Sequence, residues 1–322
     1  MKIPLHPAQT GFLGLIEAVK PILPVPMLVV VCFLLYLFFR KTWAQLDLEA
    51  ERMRLATQDE RVAQRIPEGD HRNWDPRPLV ALVLVATVLM FHEYYGARPY
   101  FEYGLRPLLD RYAAAHIGPE RPDPLGLVRY DELYGHAFWA FTRVAGYLLP
   151  IPVWLLAFRK DSLLDMGLRG RGFFTHWKLY ALFLVVVAGA MVIVARSPDF
   201  GTYYPFYKNA SRSWWDVLLW ESMYFAQFFA LEFFFRGWLL AVLKPRMGSA
   251  AIFVMVVPYC MIHFGKPYLE VGGAIVAGIA LGSLAMKTKS IFQGFLLHVT
   301  IALSMDLLAL SHRNALPTHF WP

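Results

Sequence analysis

Five ionisable residues stand inside long apolar runs of this sequence: Glu232, Arg236, His263, His298 and Asp306, with Glu221 nearer the end of one run. A charge at the centre of a membrane helix costs about 2.5–3.5 kcal/mol on insertion scales, so such residues normally face a bundle interior and often mark a site. Glu232 and Arg236 are four residues apart in Leu231-Glu232-Phe233-Phe234-Phe235-Arg236-Gly237. That spacing puts them on one helix face within ion-pair reach. Taken alone, the pair reads as structural, each charge lowering the other's insertion cost. His263 lies in Tyr259-Cys260-Met261-Ile262-His263-Phe264-Gly265-Lys266-Pro267, and His298 in Gln293-Gly294-Phe295-Leu296-Leu297-His298. A lone histidine in a membrane helix is as often a hydrogen-bonding packing residue as a ligand or catalyst. Two histidines and a glutamate at one depth argue for a site.

Helix rise tests that depth. Glu232 precedes Lys244 by twelve residues, His263 follows Ser249 by fourteen, and His298 follows Ser290 by eight. At about 1.5 Å per residue the three lie roughly 18, 21 and 12 Å from one face, in or beside the middle third of a hydrocarbon core about 30 Å thick. The connections at 265–269 and 287–289 are short, so the helices they join are antiparallel neighbours. Ala274, Gly278 and Gly282 recur at four-residue spacing, and small residues let membrane helices approach closely. A Glu/His/His cluster inside the bundle is therefore reasonable.

The elements that must hold it are membrane helices. The chain of 322 residues is 57% hydrophobic and 17% charged, with a mean hydropathy of +0.42, and an ordinary soluble domain is about 25% charged. Its backbone must pair internally in lipid, which makes the apolar runs helices. The expected fold is all-α: a polytopic integral membrane protein of about eight spans with no sizeable soluble domain. The spans are read at 22–39, 78–95, 136–158, 177–195, 214–243, 249–264, 270–286 and 290–310. Three segments follow: 1–77, an N-terminal anchor and basic cytoplasmic loop; 78–213, spans two to four; and 214–312, a C-terminal core. Cys32 and Cys260 both lie in apolar runs, so no disulfide framework is implied.

The formal charge of +7 is read as Lys and Arg holding loops at the cytoplasmic face, not as a nucleic-acid surface. The loop 40–77 carries Arg40, Lys41, Arg52, Arg54, Arg61, Arg65, Arg72 and Arg77, against Lys2 and Lys20 in the tail before it. That asymmetry places the loop inside and both termini outside. Arg159, Lys160, Arg169, Arg171, Lys244, Arg246, Lys287 and Lys289 agree, whereas five positives in 98–129 do not. The polar loop contains a helical-looking piece, 46–65. The first residues, broken by Pro4, Pro7, Pro21 and Pro24, do not resemble a cleaved signal. Tyr, Phe and Trp crowd 199–215. An aromatic belt at headgroup level is the preferred reading, and a lip over an entrance the sharper one. The sequon at Asn209 is taken as chance, and a bacterial inner membrane as the location.

At these residues the chain resembles the CPBP family of intramembrane proteases, of the CAAX-processing and bacteriocin-processing type. Its members carry E-E-x-x-x-R, F-x-x-x-H and H-x-x-x-N or a variant on successive helices. The resemblance covers 214–310, most strongly 232–237 and 263–267, with 163–168 compatible upstream. Leu231 stands where the family has its first glutamate, the position usually assigned as the base that activates water. Tyr259 stands in the Phe place, and Ala302 where Asn is expected; Asp306 is one turn further along.

The resemblance implies an endopeptidase that cleaves a membrane-anchored protein or peptide at the bilayer. That chemistry needs a base for water, donors for the oxyanion and water at membrane depth. Glu232 is the candidate base, His263 the group that polarises water and His298 the oxyanion donor, with Arg236, Tyr259 and Asp306 in support. An ion pair with Arg236 weakens Glu232 as a base, so one carboxylate serves two purposes. No cofactor is expected. The lesser alternative is zinc on Glu232, His263 and His298 with an open position, although the three come from separate spans. Two further functions stay open: a catalytically inactive scaffold or chaperone, favoured by Leu231 and Ala302, and a transporter with a proton relay.

Overall fold

The computed structural model describes residues 24–63, 75–118, 123, 125–170, 176–195, 200, 203–266 and 268–322. Lys2, Lys20, the start of the expected first span at Ile22, Arg65, Arg72, Arg171, Asp199 and Pro267 lie outside the described residues. The helices are α1 (Pro24–Ala63), α2 (Arg77–Tyr94), α3 (Arg106–His116), α4 (Asp131–Leu148), α5 (Pro150–Ala157), α6 (Trp177–Val194), α7 (Trp214–Glu232), α8 (Leu240–Met247), α9 (Ala250–Met261), α10 (Tyr268–Thr288) and α11 (Phe292–His312). A π-helical turn, Phe233–Leu239, joins α7 to α8 without a break. The fold is all-α, as expected of this sequence.

Among the described residues six helical stretches are long and apolar enough to cross a membrane: Val25–Thr57, Arg77–Tyr94, Asp131–Ala157, Trp214–Met247, Glu270–Thr288 and Phe292–His312. The expected fourth and sixth spans appear as shorter apolar helices, Trp177–Gly189 and Ala250–Met261, so the count of eight is not reproduced. The sixth carries Pro258 inside α9, whose missing N–H leaves the Val254 carbonyl without its helical donor. The helix stops at Met261, and Ile262–Lys266 form turns that reach Gly265 at φ 87°.

The stretch after Phe39, read as a loop with a separate helical piece, is instead the second half of one 40-residue helix. No Pro or Gly interrupts it. It docks on the bundle rather than lying free: Trp43 Nε1 donates to Ser283 Oγ at 2.9 Å, Ser249 N donates to Asp47 Oδ1 at 2.7 Å, and Lys244 Nζ meets Glu49 Oε2 at 2.5 Å. Arg246 reaches Asp75 at 3.5 Å and Arg77 reaches Asp161 at 3.5 Å. The segments assigned from charge to one membrane face therefore meet one another.

The core surrounds the π-helical turn. Phe234, Phe235, Trp238 and Leu239 are fully buried there. α7 packs chiefly on α4, and α10 on α9 and α1. The small-residue stripe of α10 has the role its spacing implies. A Cβ on Gly278 would lie 2.9 Å from Val256, and one on Gly282 would lie 2.9 Å from Met255, both on α9. Without those side chains α9 and α10 approach closely, and the Tyr259 ring packs into the space at Gly278, where a Cβ would stand 3.2 Å from it. Outward positions such as Val29, Phe33, Val83, Val153 and Val185 remain exposed, as a lipid-facing surface requires.

Candidate active site

α7 delivers Glu232 at its last residue and Arg236 one turn later, within the π-helical turn. π-Bulges are rare in helices and recur at functional sites. Both charges are buried, 1% and 3% exposed. Arg236 Nη1 lies 3.0 Å from Glu232 Oε1, yet no guanidinium N–H is aimed well enough to make a hydrogen bond. The contact is thus an ion pair without directional bonding, and the guanidinium also sits 3.7 Å over the Tyr259 ring. The two interactions together offset part of the cost of burying the cation.

His298 supplies the directional partner. Its Nδ1 lies 2.8 Å from Glu232 Oε1, and its ring stacks on Phe228 with centroids 4.7 Å apart. Gly294, one turn earlier on α11, makes room for this approach: a Cβ there would stand 3.0 Å from Glu232 Oε2. On its far side His298 Nε2 is 3.3 Å from the Tyr259 hydroxyl. His263 Nδ1 contacts the Tyr259 carbonyl at 3.0 Å.

These partners determine where the ring protons sit. A carbonyl oxygen only accepts, so His263 Nδ1 must carry the proton it donates to Tyr259. An ionised carboxylate only accepts, so His298 Nδ1 carries the proton donated to Glu232. Each neutral ring is left with a bare Nε2. Such a nitrogen can take a proton or orient a water, but it cannot donate to an oxyanion.

A cavity of about 470 Å³ opens beside this cluster, and His263, His298 and Leu231 line it. Glu232 does not; it lies one layer behind, in contact with His298. The expected convergence is therefore met by the two histidines, while the glutamate reaches the cavity only through one of them. Tyr203 and Phe206 also line the cavity, and Tyr204 and Tyr207 are 3% and 0% exposed. This stretch of the aromatic loop folds inward as a lip rather than forming a lipid-facing belt.

Asp306 is placed elsewhere. It is 2% exposed and accepts from Trp220 Nε1 at 2.7 Å, beside Glu221. It does not replace the motif's asparagine next to His298; Ala302 at that position is buried in an apolar cluster. The zinc set fares no better. Among the described residues no group of three or more His, Cys, Asp or Glu side chains is placed to hold a metal ion, because His263 is turned to the Tyr259 carbonyl while Glu232 and His298 pair with each other.

Sequence reasoning passed over Arg143. It lies in the membrane-spanning stretch Asp131–Ala157, lines the same cavity and has a buried Nε without a partner. Its position seven residues into the run that starts at His136 was the signal available.

A buried Glu–Arg–His cluster set among long apolar helices, with His298 on an internal cavity, belongs to an integral membrane protein. Residues 213–304 match the family model described as Rce1-like, type II CAAX prenyl endopeptidase Rce1-like. That match runs from the start of α7 into α11, and over those residues it supports the resemblance to the CPBP family of intramembrane proteases. No curated protein and no solved structure matches the chain.

Proposed function

We propose that this protein is an intramembrane endopeptidase acting on a membrane-anchored protein or peptide, with a Glu232–His298 dyad as its proton-transfer unit. The observation that carries this reading is His298, which joins a buried carboxylate at 2.8 Å to the cavity. His298 Nε2 takes a proton from water as the hydroxide adds to the scissile carbonyl, then returns it to the leaving amine. Glu232 remains a carboxylate, orients the ring and stabilises the imidazolium, with Arg236 balancing its charge in the resting state. His263 Nε2, held by the Tyr259 carbonyl, accepts the other water hydrogen and fixes the water's position. No step passes through a metal.

The test compares membranes from cells producing the wild type with those from His298→Gln and His263→Ala cells, by mapping protein termini. The expected result is a set of new termini in membrane-anchored proteins that disappears in both variants while the variants accumulate normally. Identical termini in all three strains, with stable insertion, would sink the protease reading.

One observation favours a second reading. Leu231 occupies the cavity wall where the family's first glutamate stands, which suits a non-enzymatic scaffold that kept the fold and lost the water-facing carboxylate.

A further inference from the structure

We infer that the cavity is a binding site for an anionic amphiphile, a carboxylate or phosphate head on an apolar chain, and that Arg143 is the residue that holds the head. The proposal shares its cavity with the endopeptidase reading and stands without it.

The charge of the lining is one-sided. Arg98, Arg143, Lys208 and Lys266 line the cavity, and no Asp or Glu does so among the described residues. Three of these cations already have partners. Arg98 pairs with Glu102 at 3.1 Å, Lys266 pairs with Glu270 at 2.6 Å, and Lys208 donates to the Pro205 carbonyl at 2.8 Å. They stand on segments that flank the membrane-spanning stretches, at the mouth. Such a rim raises the local concentration of anions.

Arg143 differs in depth and in pairing. It stands twelve residues after Asp131 on α4, about 18 Å along the helix. Its Nε is buried with no hydrogen-bond partner. Its guanidinium lies 5.9 Å from the Trp139 ring centroid and shares a hydrogen bond with the Tyr147 hydroxyl, but it makes no ion pair with any described carboxylate. A guanidinium without a counter-charge at membrane depth is a fixed cost to the empty protein. A bidentate oxyanion matches its planar fork and removes that cost.

The rest of the wall specifies the chain attached to the anion. Trp139, Tyr147, Trp220, Tyr224 and Phe228 are among its aromatic residues. Aromatic faces of this kind suit an apolar chain, and a free inorganic anion would leave about 470 Å³ of aromatic-walled space largely unused.

The test is equilibrium binding to the full-length protein in phosphatidylcholine nanodiscs, with empty nanodiscs subtracted. The probes are decyl phosphate, decanoate, decyltrimethylammonium and inorganic phosphate. Decyl phosphate and decanoate should bind the wild type, whereas decyltrimethylammonium should not. Arg143→Gln should weaken both anions by about tenfold or more, the scale of a lost charge-assisted contact, and Arg143→Lys should recover part of the loss. Equal binding of decyl phosphate and decyltrimethylammonium to the wild type would overturn the proposal without any variant. So would wild-type affinity in a folded Arg143→Gln protein. Inorganic phosphate competing as well as decyl phosphate would remove the amphiphile from it. The readout is binding alone, so failure of the protease reading in the terminus-mapping experiment leaves this result standing, and failure here leaves that reading standing.

Discussion

Leu231 and Glu232 are adjacent in the chain but face different surroundings: Leu231 lines the cavity, and Glu232 lies behind it against Arg236 and His298. One step along a helix is a turn of about 100°, so a single residue decides whether a carboxylate meets the cavity or the core. The family's two-glutamate motif would fill both positions. This chain fills only the inner one.

Leu231→Glu therefore places a carboxylate on the cavity wall among Arg143, His263 and His298. The variant is expected to insert stably, because those groups surround the new charge, and to cleave no faster than the wild type. Cleavage assays on wild type and variant in parallel check this. Activity found only in Leu231→Glu would identify the wild type as a degenerate relative of the family it resembles.

Gly294→Ala should push the Glu232 carboxylate away from its present position, since the new methyl would stand 3.0 Å from Oε2. A stability loss of about 1–3 kcal/mol is expected, the usual range for overpacking. Activity should fall further than stability does, because the bond to His298 is lengthened. Thermal unfolding in nanodiscs and initial rates at a temperature where both proteins are folded separate the two effects.

Tyr259→Phe removes the hydroxyl that faces His298 Nε2 at 3.3 Å but keeps the ring beneath Arg236. It should cost about 1 kcal/mol or less. Activity should be retained or increased, because Nε2 is freed for water. Loss of turnover in a well-folded Tyr259→Phe protein would show that the hydroxyl itself takes part in the reaction.

Asp75 gives a pH-dependent contribution outside the membrane spans. Partial burial pushes its carboxyl up, but hydrogen bonds from Arg77 and the charges of Arg77 and Arg246 outweigh this and hold it below the usual range. The folded protein then binds that proton more weakly than the unfolded chain, whose aspartates titrate near about 3.9. The stabilisation is complete above that value and is lost as pH falls through the lower folded value. Asp75→Asn should cost about 1 kcal/mol or less at neutral pH, and the deficit should shrink as the medium is acidified. A deficit that persists unchanged in acid would trace the loss to packing instead.

Long apolar runs must be helices in lipid, whatever their neighbours, so the all-α membrane architecture was legible in the sequence. The Glu232–Arg236 pair, the close packing along Gly278 and Gly282, and the family resemblance at 214–310 were equally local, because each depends on helix periodicity alone. What spacing could not supply was rotation and continuity. Whether the helix of Phe39 runs on through Ala63 depends on Trp43, Asp47 and Glu49 finding Ser283, Ser249 and Lys244, residues some two hundred positions away. Whether Glu232 meets water or His298 depends on how α11 docks at Gly294. Whether Asp306 joins the site depends on Trp220 capturing it first. Arg143 was visible as a charge in an apolar run, but only the packing of α4 against α7 puts it on the cavity of the two histidines. A side chain's depth follows from its place along one helix, whereas its partners follow from how several helices pack, which is a property of the assembled bundle.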